Sequence, residues 1–277
     1  ATRPFGDLRR EMDEIRKLRF QHAIQNNSKL REIQQLQTSF NLLRSCLQVF
    51  DKYVPTHVLQ RITSDLASER LAASTLWMER VVVTVLYTDI QGFKSIAERL
   101  SGNPTQVILV MELYYTTCCQ VTEEMGGTVG DFWGDKIMSF WTSARPDHAL
   151  QACHAARTQV ERVEQLVKGG VWAAHGLPPD MALPLRCALH TGDCFLGNFG
   201  SPKRMKYGAV GDVAGLAQFL LGIAQLRGLQ TICSADTREA VHGSFICEFS
   251  DAVTVHMRGE SQTLLVYNVA RPARTIN

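Results

Sequence analysis

No apolar run in this 277-residue chain reaches the ~18 residues that a bilayer-spanning helix requires. The opening ATRPFGDLRR is charged where a signal peptide would be apolar. The eight cysteines contain no CxxC pair and no Cys/His metal spacing, so they read as buried, reduced thiols of a cytosolic protein. Charge of one sign is also scarce. A formal net charge of +2, with 20% charged residues, excludes the basic stripe of a nucleic-acid binder and the acidic tail of a disordered chain. Internal repeats are absent. The first residue is alanine and not methionine, which leads us to expect a piece of a longer protein; any membrane link then runs through parts not included.

Proline and glycine are missing altogether between Leu8 and Phe50, and in that stretch Ile33, Leu36, Phe40, Leu43, Leu47 and Phe50 recur at alternating spacings of three and four. This heptad seam predicts a parallel coiled-coil stalk over 1–50, with a helix lying on its own domain as the alternative. Polar residues from Gln21 to Lys29 separate it from an earlier trio, Leu8, Met12 and Ile15. Val54-Pro55 ends the helix and opens a helical joint over 51–80. At Val81 the character changes. VVVTVLYTDI is a β-branched run suited to a strand covered on both faces. Beyond it the pattern predicts a mixed α/β domain over 81–277: a helix over 105–124, a turn at Gly126-Gly127, a strand over 136–141, a helix over 147–168 and a Gly/Pro-containing loop over 169–184. The strand LRCALHTG and a closing strand pair near 253–256 and 264–269 complete it.

Asp89 stands at the end of that apolar strand, followed by Ile90, Gln91, Gly92 and Phe93, where a carboxylate reaches into a cleft. Asp135 lies in a tight Gly134-Asp135 turn before a second apolar strand. Side by side, two such carboxylates can share hard divalent cations, with triphosphate oxygens completing the shell. Either aspartate alone would more often be a solvated turn residue.

With these residues in view, the chain resembles the class III adenylate and guanylate cyclases. YTDIQGFKSIAERL looks like the family's first metal motif, GGTVGDFWGDKIMSFW like its second, LHTGDCFLGNFGSPKRMKYGAVGD like its glycine-rich stretch, and VHMRGESQTLLVYNV like its closing strands. FDKYVPTHVLQRI and the coiled coil resemble the family's transducing stalk. The resemblance implies a ferredoxin-like βαββαβ core, and a dimer with sites at the subunit interface. It implies Asp89 and Asp135 as ligands of two Mg²⁺ or Mn²⁺ ions, backbone N–H groups over Ile90–Phe93 on phosphate oxygens, and a nucleoside triphosphate as substrate.

The chain departs from the family elsewhere. Where the pattern GDxVNxAxRL carries a transition-state asparagine and arginine, GDVAGLAQFL has Gly215 and Phe219. Losing a positioned arginine of this kind can cost ~10³-fold in rate. At the base-selecting positions stand Asp131, in place of a lysine, and Gly208, so neither ATP nor GTP is assigned. Arg204, beside Lys203 and Lys206, and Arg258 are candidates for phosphate contact, although loop cations are usually just solvated. His190 reads as a satisfied strand-end histidine, and Lys136 either pairs with Asp135 or points to solvent. Three functions stay open: the metal-donating half of a heterodimer, inactive alone; a pseudocyclase that regulates or binds nucleotide; and, disfavoured, an active homodimeric cyclase. A diguanylate cyclase is excluded by the absence of a GGDEF-type signature.

Overall fold

The computed structural model describes residues 3–17, 19, 30–51, 53–54, 59, 77–201, 204–257 and 259–273. The chain divides into two compact units, Ala1–Thr75 and Leu76–Asn277. The first holds helices α1 (Arg3–Arg16) and α2 (Arg31–Asp51). A coiled-coil pairing is not evident among its described residues. Alternate members of the expected seam, Leu36, Leu43 and Phe50, are exposed along α2, while Ile33 is buried. The polar run from Gln21 to Lys29 supplies too few apolar side chains to carry one seam from α1 into α2. Pro55 and most of the expected joint lie outside the described residues.

In the second unit the order is β1 (Trp77–Ile90), α3 (Phe93–Arg99), α4 (Pro104–Glu124), β2 (Thr128–Trp133), β3 (Lys136–Thr142), α5 (His148–Lys168), α6 (Gly170–Ala174), β4 (Leu185–Ser201), β5 (Arg204–Val210), α7 (Asp212–Arg227), β6 (Thr231–Ser234), α8 (Ala235–Ala240), β7 (Phe245–Met257) and β8 (Glu260–Pro272). The strands pair in the order β2-β3-β1-β4-β6-β8-β7, with β5 on β4. Its first four members, β2-β3-β1-β4, are antiparallel neighbours and reproduce the expected βαββαβ core with its split crossovers through α4 and α5.

Alternation along β1 divides the core. Leu86 and Ile90 join Val110, Tyr114, Cys118 and Val121 of α4 and Ala152, Ala156 and Val163 of α5 on one face. Val83, Val85 and Tyr87 join Val213, Ala217, Leu220 and Ala224 of α7 on the other. With both faces covered, β1 reads as an unbroken apolar run. Asp89 falls on the α7 side by the same alternation, and so does Arg186, its cross-strand partner on β4. All eight cysteines are free: Cys118, Cys153, Cys187, Cys194 and Cys233 are buried, Cys119 and Cys247 partly so, and Cys46 is exposed.

A chain of buried polar groups ties five elements together, α5, β1, β4, α8 and β6. His148 Nδ1 lies 2.9 Å from Thr84 Oγ1, which lies 2.9 Å from Thr191 Oγ1, itself 2.9 Å from Thr237 Oγ1. From Thr237 it continues through Ser234 Oγ at 3.3 Å to His190 Nδ1 at 2.8 Å. Burial holds both imidazoles below the ordinary histidine value, against the weaker upward pull of Asp147 on His148 and of Asp236 on His190. The fold therefore keeps them neutral. Stability from this source is present above about pH 6.5 and lost as pH falls below it. On acidification from about pH 7 to about pH 5 the urea midpoint should fall relative to that of a His148→Asn/His190→Asn variant.

Candidate functional site

The two aspartates of the sequence motifs meet at one end of the sheet. The β1–β3 ladder runs to Thr88 opposite Ile137, so Asp89 and the Gly134-Asp135 turn follow directly at its end. Trp133 pairs with Lys136 across that two-residue turn, and Gly134 supplies the positive φ (59°) that such a hairpin needs. Asp89 is only 5% exposed and Arg186, opposite it, 4%. Their ion pair is long, 3.7 Å from Arg186 Nη1 to Asp89 Oδ2. Asp89 Oδ1 and Arg186 Nε are both buried without a hydrogen-bond partner. Burial pushes the Asp89 carboxyl up to about 6; the Arg186 charge pulls it down, Asp135 raises it, and Lys136 lowers it.

A buried carboxylate with a free oxygen, close enough to a second carboxylate to feel its charge, is a donor set for a hard divalent cation. Two carboxylates leave most of a six-oxygen shell to a ligand such as a triphosphate. Among the described residues no third His, Cys, Asp or Glu completes a metal cluster. The residues present therefore fit metal held jointly by protein and nucleotide, and not a closed protein cage.

Sequence reasoning missed Arg186. Its signal was a lone cation in the otherwise apolar strand Leu185–Leu189, a placement that burial tolerates only beside an anion. Lys136 makes no ion pair with Asp135 among the described residues; its charge acts on Asp89. Of the backbone groups expected at phosphates, the Gln91 N–H is already committed, donating to the Pro184 carbonyl at 2.8 Å. Ile90 is buried and pairs with Leu185, while Gly92, with a left-handed φ of 72°, and Phe93 form the first turn of α3.

Asp131 does not stand as a third free carboxylate. Lys206 from β5 binds it, and the ammonium also lies 5.7 Å from the Trp133 ring centroid. Trp133 in turn stacks on Tyr87, 6.0 Å between centroids. Gly208 faces the Phe199 ring, which a Cβ there would meet at 3.7 Å. Arg204 is exposed, without an ion pair among the described residues, and Arg258 and Lys203 lie outside them. His190 has polar partners, as its context suggested, with Nδ1 facing Ser234 at 2.8 Å and Asp236 at 3.8 Å, but it sits inside β4 opposite Val85 and not at a strand end, because β4 runs on to Ser201.

Gly215 and Phe219 lie one turn apart on the exposed side of α7, where side chains four apart are neighbours. A Cβ at Gly215 would meet nothing within 4 Å, and Phe219 is 39% exposed. Neither carries a hydrogen-bonding side chain.

Comparison with known proteins adds independent findings. The family described as "Adenylate and Guanylate cyclase catalytic domain" matches residues 78–269. Adenylate cyclase 1 of Rhizobium meliloti (strain 1021) is 27% identical over 100% of this chain and 40% of its own length. Adenylate cyclase of Anabaena cylindrica is 25% identical over 84% of this chain and 45% of its own length. The chain thus spans less than half of each of these curated relatives. The adenylyl cyclase CyaB from P. aeruginosa superposes with a TM-score of 0.62 at 24% identity, covering 73% of this chain and all of that one. The guanylyl cyclase Cya2 superposes at 0.58 with 28% identity, covering 72% and 96%.

Proposed function

Because the chain belongs to the adenylate and guanylate cyclase catalytic domain family, we propose that it serves as the metal-holding half of a nucleotidyl cyclase dimer, acting on a nucleoside triphosphate and inactive by itself. The observation that carries this reading is an asymmetry. Asp89 and Asp135 are held together with a free buried carboxylate oxygen, while the exposed turn of α7 offers only Gly215 and Phe219.

Asp89 and Asp135 would hold one or two Mg²⁺ or Mn²⁺ ions together with the triphosphate. When bound, these ions supply charge neutralisation for in-line attack of the ribose 3′-hydroxyl on the α-phosphate, with pyrophosphate leaving. The protein's own groups prepare that event. Arg186, buried with one donor unused, offers a fixed positive charge to phosphate oxygen in a setting where water screens little. Lys136 adds a second cation beside Asp89. Gly92 and Phe93 present the first-turn amides of α3. A different cyclase chain would contribute the groups that orient the ribose and meet the charge building on the phosphoryl group, across an interface between the two catalytic domains.

A second reading, a non-catalytic partner that binds nucleotide or regulates another cyclase, draws on the Asp131–Lys206 pair, which commits both side chains to each other and leaves neither to read a base. One experiment separates the two. Cyclic nucleotide formation from ATP and from GTP with Mn²⁺ is measured for the chain alone and mixed with an active cyclase subunit whose own metal aspartates are substituted. Product only in the mixture, and lost with Asp135→Ala in this chain, is the expected result. Silence in the mixture, with the heterodimer demonstrated by light scattering, supports the regulatory reading, and product from the chain alone overturns both.

A further inference from the structure

The β1–β3 ladder stops at Thr88 and Ile137, one residue short of Asp89 and two short of Asp135. Cross-strand backbone hydrogen bonds therefore do not by themselves fix the separation of the two carboxylate-bearing residues. Something else spans the gap. Tyr114, on α4, is completely buried, and its phenol hydroxyl lies 3.2 Å from the Thr88 carbonyl and 3.0 Å from the Asp135 carbonyl. The first carbonyl belongs to the peptide that enters Asp89, the second to the peptide that leaves Asp135. The next residue continues the grip: the Tyr115 hydroxyl donates to the Gly134 carbonyl, and its ring meets Phe132 edge-on at 4.9 Å. Tyr114 and Tyr115 thus hold the end of β1 and the β2–β3 turn from one helix.

We propose that Tyr114, seconded by Tyr115, is a positioning residue that sets the spacing of Asp89 and Asp135, so that divalent-metal affinity depends on a phenol hydroxyl that never touches the metal. The inference rests on the two-carboxylate reading given above. Burial, with the charges of Asp89 and Asp135 among the further causes, holds the Tyr114 phenol well above its ordinary value, which keeps the hydroxyl protonated and donating. One proton is shared between two carbonyls, so the hydroxyl draws both peptides toward a single point. Its removal leaves both carbonyls without that partner and frees the turn to move relative to the strand. Outer-shell groups that orient metal ligands commonly account for about 10–100-fold in metal affinity.

The test measures Mn²⁺ binding by electron paramagnetic resonance, in the presence of inorganic tripolyphosphate, alongside thermal melting. Tyr114→Phe is expected to weaken Mn²⁺ binding about tenfold. Thr237→Val, which removes a buried hydroxyl from the polar chain away from the aspartates, is expected to lower the melting temperature and leave Mn²⁺ affinity unchanged. Tyr115→Phe, on the less buried residue, should weaken Mn²⁺ binding in the same direction and keeps the proposal testable if Tyr114→Phe does not fold. A Tyr114→Phe protein that melts lower yet binds Mn²⁺ like the parent reduces the hydroxyl to packing and overturns the proposal. Asp89→Asn is the reference: if it too leaves Mn²⁺ affinity intact, the two-carboxylate site itself is overturned and the clamp with it, whereas loss in Asp89→Asn alone overturns only the clamp.

Discussion

Gly215→Asn combined with Phe219→Arg is expected to raise cyclic nucleotide production by the purified chain alone by ~10³-fold, a gain set by the value of one positioned arginine in phosphoryl transfer. The structure offers both side chains room. A Cβ at Gly215 meets nothing within 4 Å, Phe219 is already partly in solvent, and the buried side of α7, Val213, Ala217, Leu220, Leu221 and Ala224, is untouched. Asparagine in place of glycine inside a helix also gains a few tenths of a kcal/mol of helix propensity. The double variant should therefore fold at least as well as its parent. Assays with ATP and with GTP in Mn²⁺, on protein shown to be dimeric, check it. An unchanged rate would mean that the deficit lies instead in the Asp131–Lys206 end of the site, where no side chain is free to hold a base.

The proposed division between a metal half and an empty half is legible in the sequence because it depends on motifs each read within a few residues. The continuous apolar run VVVTVLYTDI and the Gly134-Asp135 turn place both aspartates at strand ends, and the expected strand over 136–141 corresponds to β3 at Lys136–Thr142. What sequence did not disclose depends on partners distant along the chain. Arg186 becomes a neighbour of Asp89 only through the β1–β4 register. The Asp131 carboxylate is paired with a lysine 75 residues away, a partner that its own motif does not show. Tyr114 and Tyr115 were hidden for another reason: in a helix of low amphipathicity two adjacent tyrosines look like packing, and only the position of two carbonyls reveals their hydroxyls as a clamp. Strand lengths were also underestimated. The closing hairpin extends over Phe245–Met257 and Glu260–Pro272; Ser250, Asp251 and Thr254 interrupt the apolar signal of its edge strand, and the ladder continues past a register shift between Phe249 and Asp251.

Asp89→Asn is expected to abolish Mn²⁺ binding and at the same time to stabilise the protein at pH 8. The carboxyl is buried, its ion pair with Arg186 is long, and one oxygen has no partner, so desolvation outweighs attraction and the folded-state value rises from 3.8 to about 6. A carboxyl raised in this way contributes stability below its unfolded value, and that contribution is lost as pH rises through about 6. At pH 8 the charged form therefore costs on the order of 3 kcal/mol relative to a neutral one, and asparagine removes that cost. Arg186 loses its anion in the variant, but that attraction is already included in the balance that leaves the neutral form favoured. The gap in melting temperature should be several degrees at pH 8 and narrow to roughly half by about pH 5, as the folded carboxyl becomes protonated while the unfolded one, with a value of 3.8, is still ionised. A constant gap, or a variant less stable at pH 8, would show that the Arg186 pair dominates and that Asp89 is a structural anion. Narrowing would identify it as a carboxylate kept in an unfavourable place, with one oxygen left free, as the proposed metal site requires.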